Sequence, residues 1–245
     1  MITTSSFYIE VNNEPIIDID KVWYLCPGED VQLYVNSVHD EYRWEHGERG
    51  SDIIVDEPGF YTVTVYNIDN INKTTCSVSE TIQVVEPDFP KAVNIETNDW
   101  TTASNSVLVN IEGTGFYEFS IDGYSYQESN MFNNLSAGDY TVYVKNENGC
   151  IVHSEEIYLL NYPKFFTPNS DGYNDVWKIN FAETEPDIEI SVFDRYGKLI
   201  TQINPLSNGW DGTLNGQPLA SSDYWFVVLR PSKNKQYTGH FTLKR

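Results

Sequence analysis

A chain of 245 residues with 36 Asp and Glu against 15 Lys and Arg has a formal net charge of -21, which would repel nucleic-acid phosphates before any base could be read. The length suffices for two or three small domains, each burying its own core. No apolar run approaches the roughly 18 residues that suggest a membrane helix, and a surface this acidic favours solubility and can hold divalent cations.

Threonine, valine, isoleucine and tyrosine recur in short alternating runs punctuated by 11 Pro and 15 Gly, and no long stretch keeps a 3.6-residue apolar period. The pattern predicts an all-β chain of three tandem β-sandwich domains, at residues 1–86, 87–160 and 161–245. Met1 is followed directly by ITTSSFYIEV, without the basic-then-apolar order of a signal peptide, which reads as the start of a fragment.

In the first segment the runs FYIEV, VQLYV, EYRWE, DIIV, FYTVTVY and ETIQVV are spaced as in a sandwich. Alternation puts Tyr42 and Trp44 on one face, the expected core face. Cysteine is sparse, and Cys26, Cys76 and Cys150 show no zinc-ligand spacing. Cys26 precedes an early strand and Cys76 the last one, so the two either bridge across the sandwich or remain two buried thiols. Cys150 is left as a packed thiol or half of a bridge whose mate is lost. Two prolines in EPDFP, Glu86 to Pro90, mark a linker. Beyond it come SVLVNI, FYEFSID, GDYTVYVKN and EEIYLL, and GDYTVYVKNENGC echoes the earlier GFYTVTVYN, as divergent copies of one architecture would.

Charge sets the last segment apart. Lys and Arg against Asp and Glu number 4 to 16 over residues 1–86, 2 to 11 over 87–160, and 9 to 9 over 161–245. No carboxylate side chain follows Asp223, whereas Arg230, Lys233, Lys235, Lys244 and Arg245 do. Such an end suits an acidic partner groove, or equally an edge hairpin guarded by lysines. The runs VWKIN, IEISVFDRYG, KLITQI, DYWFVVLR and TGHFTLKR predict an antiparallel sandwich of about seven strands.

Two resemblances follow from these runs. CPGEDVQL, YRWEHG, the Pro58-Gly59 turn and FYTVTV resemble the immunoglobulin-like repeats of large surface proteins from gliding bacteria of the Bacteroidetes type. FFTPNSDGYNDVW, IEISVFDRYGKLI, GWDGTLNGQPLASSDYWFVV and GHFTLKR closely resemble the type B carboxy-terminal sorting domain of type IX secretion cargo, the gliding motility-associated C-terminal domain, here with a Greek-key-type sandwich. One departure is Ser170, where the family's PNGDG run has glycine; the serine suggests a position that does not need positive φ. The resemblance implies a signal and attachment module at the carboxy end of a large surface adhesin or gliding protein, carried on two stalk domains. Its cargo crosses the periplasm and the outer membrane to the cell surface. Its implied partners are the secretion translocon and outer-membrane β-barrels, a shuttle of the PorV type or a barrel of the PorP and SprF type. The implied handle is Gly239, His240, Phe241, Thr242, Leu243, Lys244 and Arg245, read by strand addition or by insertion into a barrel lumen.

Other chemistry is thinner. Asn169, Asp171, Asn174 and Asp175 surround Gly172 and would suit a calcium ion, although they lack an EF-hand's glutamate; Asx-turns that fix the loop are the competing reading. Trp210, Asp211, Tyr224 and Trp225 fit either a sugar platform or the closed end of a core. A calcium-dependent adhesive or glycan-binding module is therefore the alternative function. Histidines 39, 46, 153 and 240 are scattered without a neighbouring nucleophile, and no hydrolase or phosphate-loop motif occurs, so no enzyme is predicted. The sequons at Asn72 and Asn134 read as accidental.

Overall fold

A computed structural model describes residues 14–70 and 73–245; the FYIEV run at residues 7–11 and the sequon residue Asn72 lie outside them. The chain forms two compact units. One joins Met1–Pro90 with Thr114–Tyr117 and Lys145–Val152, and the other joins Lys91–Gly113, Glu118–Val144 and His153–Arg245.

In the first unit, β1 (Val22–Tyr24), β2 (Val31–Tyr34), β3 (Glu41–Trp44), β4 (Asp52–Val55), β5 (Gly59–Asp69) and β6 (Thr74–Val85) form a sheet ordered β1-β6-β5-β3 and a separate β2-β4 pair. Leu33, Ile53 and Val55 from the pair meet Trp44, Val63, Val65, Ile82 and Val84 from the sheet in one core, with Tyr42 packed beside Trp44 as alternation requires.

Next along the chain are β7 (Ala92–Asn98), β8 (Asn105–Glu112), β9 (Tyr117–Ser120), β10 (Met131–Leu135), β11 (Gly138–Asn146) and β12 (Ile151–Leu159), in sheets ordered β10-β8-β7 and β12-β11-β9. Val107, Val109, Phe132, Val142, Val144 and Leu159 are among their buried residues. The last stretch holds β13 (Phe165–Phe166), β14 (Glu189–Phe193), β15 (Leu199–Ile203), β16 (Thr213–Leu214), β17 (Gln217–Pro218), β18 (Ser222–Arg230) and β19 (Lys235–Leu243). Five of them make the sheet β13-β19-β18-β14-β15, and β16 and β17 form a small hairpin. The protein is all-β, with its sheets in a β-sandwich arrangement.

One device occurs three times. Tyr61, Tyr140 and Tyr224 are each the third residue of a long strand, β5, β11 and β18. Each hydroxyl donates to the carbonyl oxygen four residues upstream, that of Glu57 at 2.8 Å, Ser136 at 3.0 Å and Ala220 at 3.1 Å. The bond pins a strand to the turn it leaves, as the tyrosine corner of immunoglobulin-like sandwiches does. Two core residues follow at period two each time: Val63 and Val65, Val142 and Val144, Phe226 and Val228. The echo of GFYTVTV in GDYTVYV therefore extends to SDYWFVV.

The cysteines correct the sequence-based pairing of Cys26 with Cys76. Cys26 is bonded to Cys150, across 124 residues of chain, and Cys76 is free. Leu25, next to Cys26, donates its N–H to Val85 at the end of β6, whereas Cys76 lies near the start of that strand. At about 3.3 Å per residue, nine residues of strand hold Cys76 about 30 Å from there. Cys150 follows the tight turn after β11, where the Asn146 side-chain oxygen accepts the N–H of Asn148 at 3.1 Å and of Cys150 at 3.0 Å. Closing so long a loop restricts the unfolded chain strongly, so Cys150→Ser is expected to lower stability by ~2–5 kcal/mol in denaturant titrations without reductant. Cys76→Ser should stay within about 0.5 kcal/mol of the parent.

Candidate functional site

The terminal strand β19 is an interior strand. It pairs with β18 over its whole length, from Arg230↔Lys235 to Ser222↔Leu243, and near its end with β13, Phe165↔Thr242 and Phe166↔Leu243. Two further bonds, Thr242 N–H to the Lys164 oxygen at 2.9 Å and Lys244 N–H to the Phe166 oxygen at 3.0 Å, seal that side. Strand addition beside Phe241–Lys244 would therefore require β13 to leave.

Alternation divides the seven residues of the predicted handle. Phe241 and Leu243 are wholly buried, His240 and Lys244 are exposed and Thr242 is half-buried. The Phe241 ring stacks on Trp177 at 3.9 Å between centroids, with Phe166 and Trp210 closing around it at 5.9 and 6.1 Å. A Cβ at Gly239 would come within 2.6 Å of the Phe226 ring and 2.9 Å of the Tyr162 hydroxyl, so only glycine allows β19 this close. Arg245 is a tie. Its backbone N–H reaches Ser221 Oγ at 3.0 Å, and its guanidinium donates to the carbonyls of Leu219 at 3.0 Å, Gly212 at 3.2 Å and Pro168 at 3.4 Å.

The side-chain oxygens of Asn169, Asp171 and Asp175 accept hydrogen bonds from donors of their own loop. Asp175 accepts the N–H groups of Ser170 at 2.7 Å, Gly172 at 2.8 Å and Asn169 at 2.9 Å, and these bonds, the Gly172 one foremost, lower its pKa. Asp171 accepts Tyr173 N–H at 2.8 Å and the Asn169 amide at 2.9 Å, while Asn174 contributes its backbone carbonyl to Thr167 at 2.7 Å. These are Asx-turns, with the carboxylates turned toward backbone donors. Among the described residues no group of three or more His, Cys, Asp or Glu is placed to hold a metal. The expectation for Ser170 is overturned: its φ is 64°, the left-handed region, so the family's glycine answers a real demand and serine meets it under strain. Ser170→Gly should raise stability by ~0.5–1 kcal/mol, seen as a higher melting temperature.

The sugar-platform residues divide in the same way. Trp210 and Tyr224 belong to the core, and Trp210 Nε1–H donates to the Thr213 carbonyl at 2.8 Å. Asp211 accepts the Thr213 N–H at 3.0 Å and its hydroxyl at 2.8 Å. Trp225 is 43% exposed and pairs across the sheet with His240, their rings 6.3 Å apart.

Arg230 belongs to the basic end of the sequence, yet it is 1% exposed. Glu185 takes its Nε at 2.7 Å and its Nη2, Asp99 takes Nη1 at 2.8 Å, and Lys233 joins Glu185 at 2.6 Å. The signal for this was strand parity, since Tyr224, Phe226, Val228 and Arg230 all point to the buried face of β18. Burial alone would raise the Glu185 pKa, but Arg230 and Lys233 outweigh it and hold it below its ordinary 4.5. A lowered folded-state pKa gives stability that is complete above about pH 4.5 and lost as pH falls through the folded value. Melting temperature should be level above about pH 5 and decline below pH 4.5. Glu185→Gln should flatten that decline while costing ~3–5 kcal/mol at neutral pH.

The interior strand and its aromatic packing coincide with a known domain. Residues 160–243 match the CHU_C type IX secretion signal domain. The sorting domain inferred from the sequence motifs is thus shown over roughly the last third of the chain, which makes it a secretion-targeting module. It implies the secretion machinery as a partner and export to the cell surface. No helix among the described residues is long and apolar enough to cross a membrane. No curated protein matches the chain. Similar solved structures include three N-terminal domains of the bacteriophage RB49 Hoc protein, with TM-score 0.28, 12% identity, and coverage of 93% of this chain and 97% of that one. The N-terminal four Ig domains of Dscam1 isoform 6.9 give TM-score 0.24 and 14% identity over 96% and 74% of the two chains. At such scores these likenesses carry no argument.

Proposed function

We propose that the chain is the carboxy-terminal part of a large surface protein: two immunoglobulin-like stalk domains, residues 1–86 and 87–160, followed by a sorting domain, residues 161–245, that an outer-membrane β-barrel of the PorV or PorP and SprF type receives after periplasmic transit. The match of residues 160–243 to the signal domain carries the reading. Supporting it, the chain holds a disulfide, which belongs to an oxidising, extracytoplasmic compartment.

Because Phe241 and Leu243 lie in the core and β13 flanks the end of β19, the barrel reads the folded face, where His240, Thr242 and Lys244 stand beside Trp225. Deleting residues 239–245 would remove core as well as signal, so the discriminating variant is at the surface. His240→Ala with Lys244→Ala should leave melting within about 0.5 kcal/mol of the parent, while surface export and recovery of a barrel from outer-membrane extract both fall. Unchanged export and recovery would sink the face as the recognised surface.

A further inference from the structure

The signal domain begins at residue 160 in the family match, but the guanidinium buried inside it is closed by a carboxylate from 131 positions before Arg230. Thr97–Trp100 leaves the end of β7 and meets the β18–β19 turn at several points. Lys235 Nζ donates to the Thr97 carbonyl at 2.9 Å. The Asp99 side chain, 3% exposed, binds Arg230 Nη1 at 2.8 Å and accepts the Leu160 N–H at 3.3 Å. Trp100 N–H returns to the Leu160 carbonyl at 2.8 Å, and its ring stacks on Tyr237 at 4.3 Å and 7°. The Arg230 guanidinium lies 5.8 Å from the centre of that same ring, and Trp100 belongs to the core cluster that holds Trp177, Phe226 and Phe241.

Backbone conformation marks the same spot. Trp100 has φ of 85°, which a bulky L-residue adopts only when its surroundings over-determine it. Here they do: the Leu160 N–H bonded to the Asp99 carboxylate, the Trp100 N–H bonded to the Leu160 carbonyl, the ion pair and the ring stack converge on two residues. Without Asp99 one arm of a buried guanidinium would be stranded. The turn at Pro231–Lys233 would then be left to Glu185 and to Asp187, which accepts the Ser232 N–H at 2.8 Å.

We infer that the sorting unit is larger than the matched domain: Thr97–Trp100 is a clasp that completes it, and the β18–β19 pair is fully ordered only once β7 has folded against β8. β7 is set by its register with β8, Ala92↔Glu112 through Asn98↔Ser106, so Asp99 reaches Arg230 only with that pairing in place. A chain whose preceding segment is still unfolded presents a frayed hairpin to the secretion machinery, and export is thereby tied to folding of the neighbouring cargo. This rests on the reading of β19 as the strand whose face is recognised.

Hydrogen exchange by mass spectrometry on the full chain, paired with a surface-export assay, tests it. Asp99→Asn keeps the size and loses the charge; Lys235→Met loosens the clasp from the surface and decides the matter if the first variant does not fold. Exchange across residues 227–237 should accelerate about tenfold in Asp99→Asn and less in Lys235→Met, with export falling in the same order at unchanged total protein. Unchanged exchange overturns the clasp, and faster exchange with normal export overturns its role in sorting. The His240→Ala, Lys244→Ala chain is assayed in parallel. Normal export of that chain fails the underlying reading, whereas its loss together with normal export of both clasp variants fails this inference alone.

Discussion

The pairing of β18 with β19 over nine residues is the constraint on which the rest of the last segment depends. Once two strands are registered, side chains can only alternate, and one face must supply the core. On β18 that face is Tyr224, Phe226, Val228 and Arg230; on β19 it includes Phe241 and Leu243. The same register brings Trp225 beside His240 on the solvent side. A terminal sequence that reads as a handle is therefore half scaffold, and the aromatic cluster fixes the shape of its solvent face from beneath. Glycine enters for the same reason, because Gly239 leaves the space that the Phe226 ring and the Tyr162 hydroxyl fill.

Much of the fold was legible in the sequence because strands declare themselves by period two and turns by glycine, proline and asparagine. Trp44 and the valines of FYTVTV lie where alternation put them. The sorting motifs were legible because their aromatic residues, Phe166, Trp177, Trp210, Tyr224 and Phe241, form a single contacting cluster and are constrained together. What was not legible depends on three-dimensional closure. Cys26 and Cys150 are 124 residues apart, and nothing local announces that the turn after β11 returns to Cys26. Asp99 and Arg230 are equally remote, although strand parity alone marked Arg230 as inward. Ser170 misled for a different reason: the chain tolerates a strained serine, so residue type gave the wrong sign for φ.

Three tyrosine corners at the same position of three long strands show how the pattern is built. In each, a hydroxyl bond to the turn sets where the strand starts, and the following alternation then places two apolar residues in a core. The last of the three lies inside the signal domain match. Its strand differs chiefly at the end, where Arg230 occupies a core-facing position that an apolar residue would ordinarily take. Substituting a charge there demands two carboxylates at matched distances, and the chain supplies one from its own segment and one from the segment before.

That arrangement also changes the meaning of the charge distribution. The final segment is neutral by count, and in sequence its cluster of cations suits an acidic partner groove or equally an edge hairpin guarded by lysines. In the folded protein Arg230 and Lys233 are held by Glu185 and Asp99, Lys235 by the Thr97 carbonyl, Lys244 lies 4.4 Å over the Phe165 ring, and Arg245 ties three carbonyls. Arg230 and Lys233 are thereby neutralised by carboxylates, whereas Lys235, Lys244 and Arg245, bonded to neutral carbonyls or resting on a ring, keep their charge at an exposed surface. The solvent face of β18 and β19 thus sets the exposed rings of Trp225 and His240 beside the charge of Lys244, while the acidity of the first 160 residues makes like-charge repulsion between copies of that part of the chain strong.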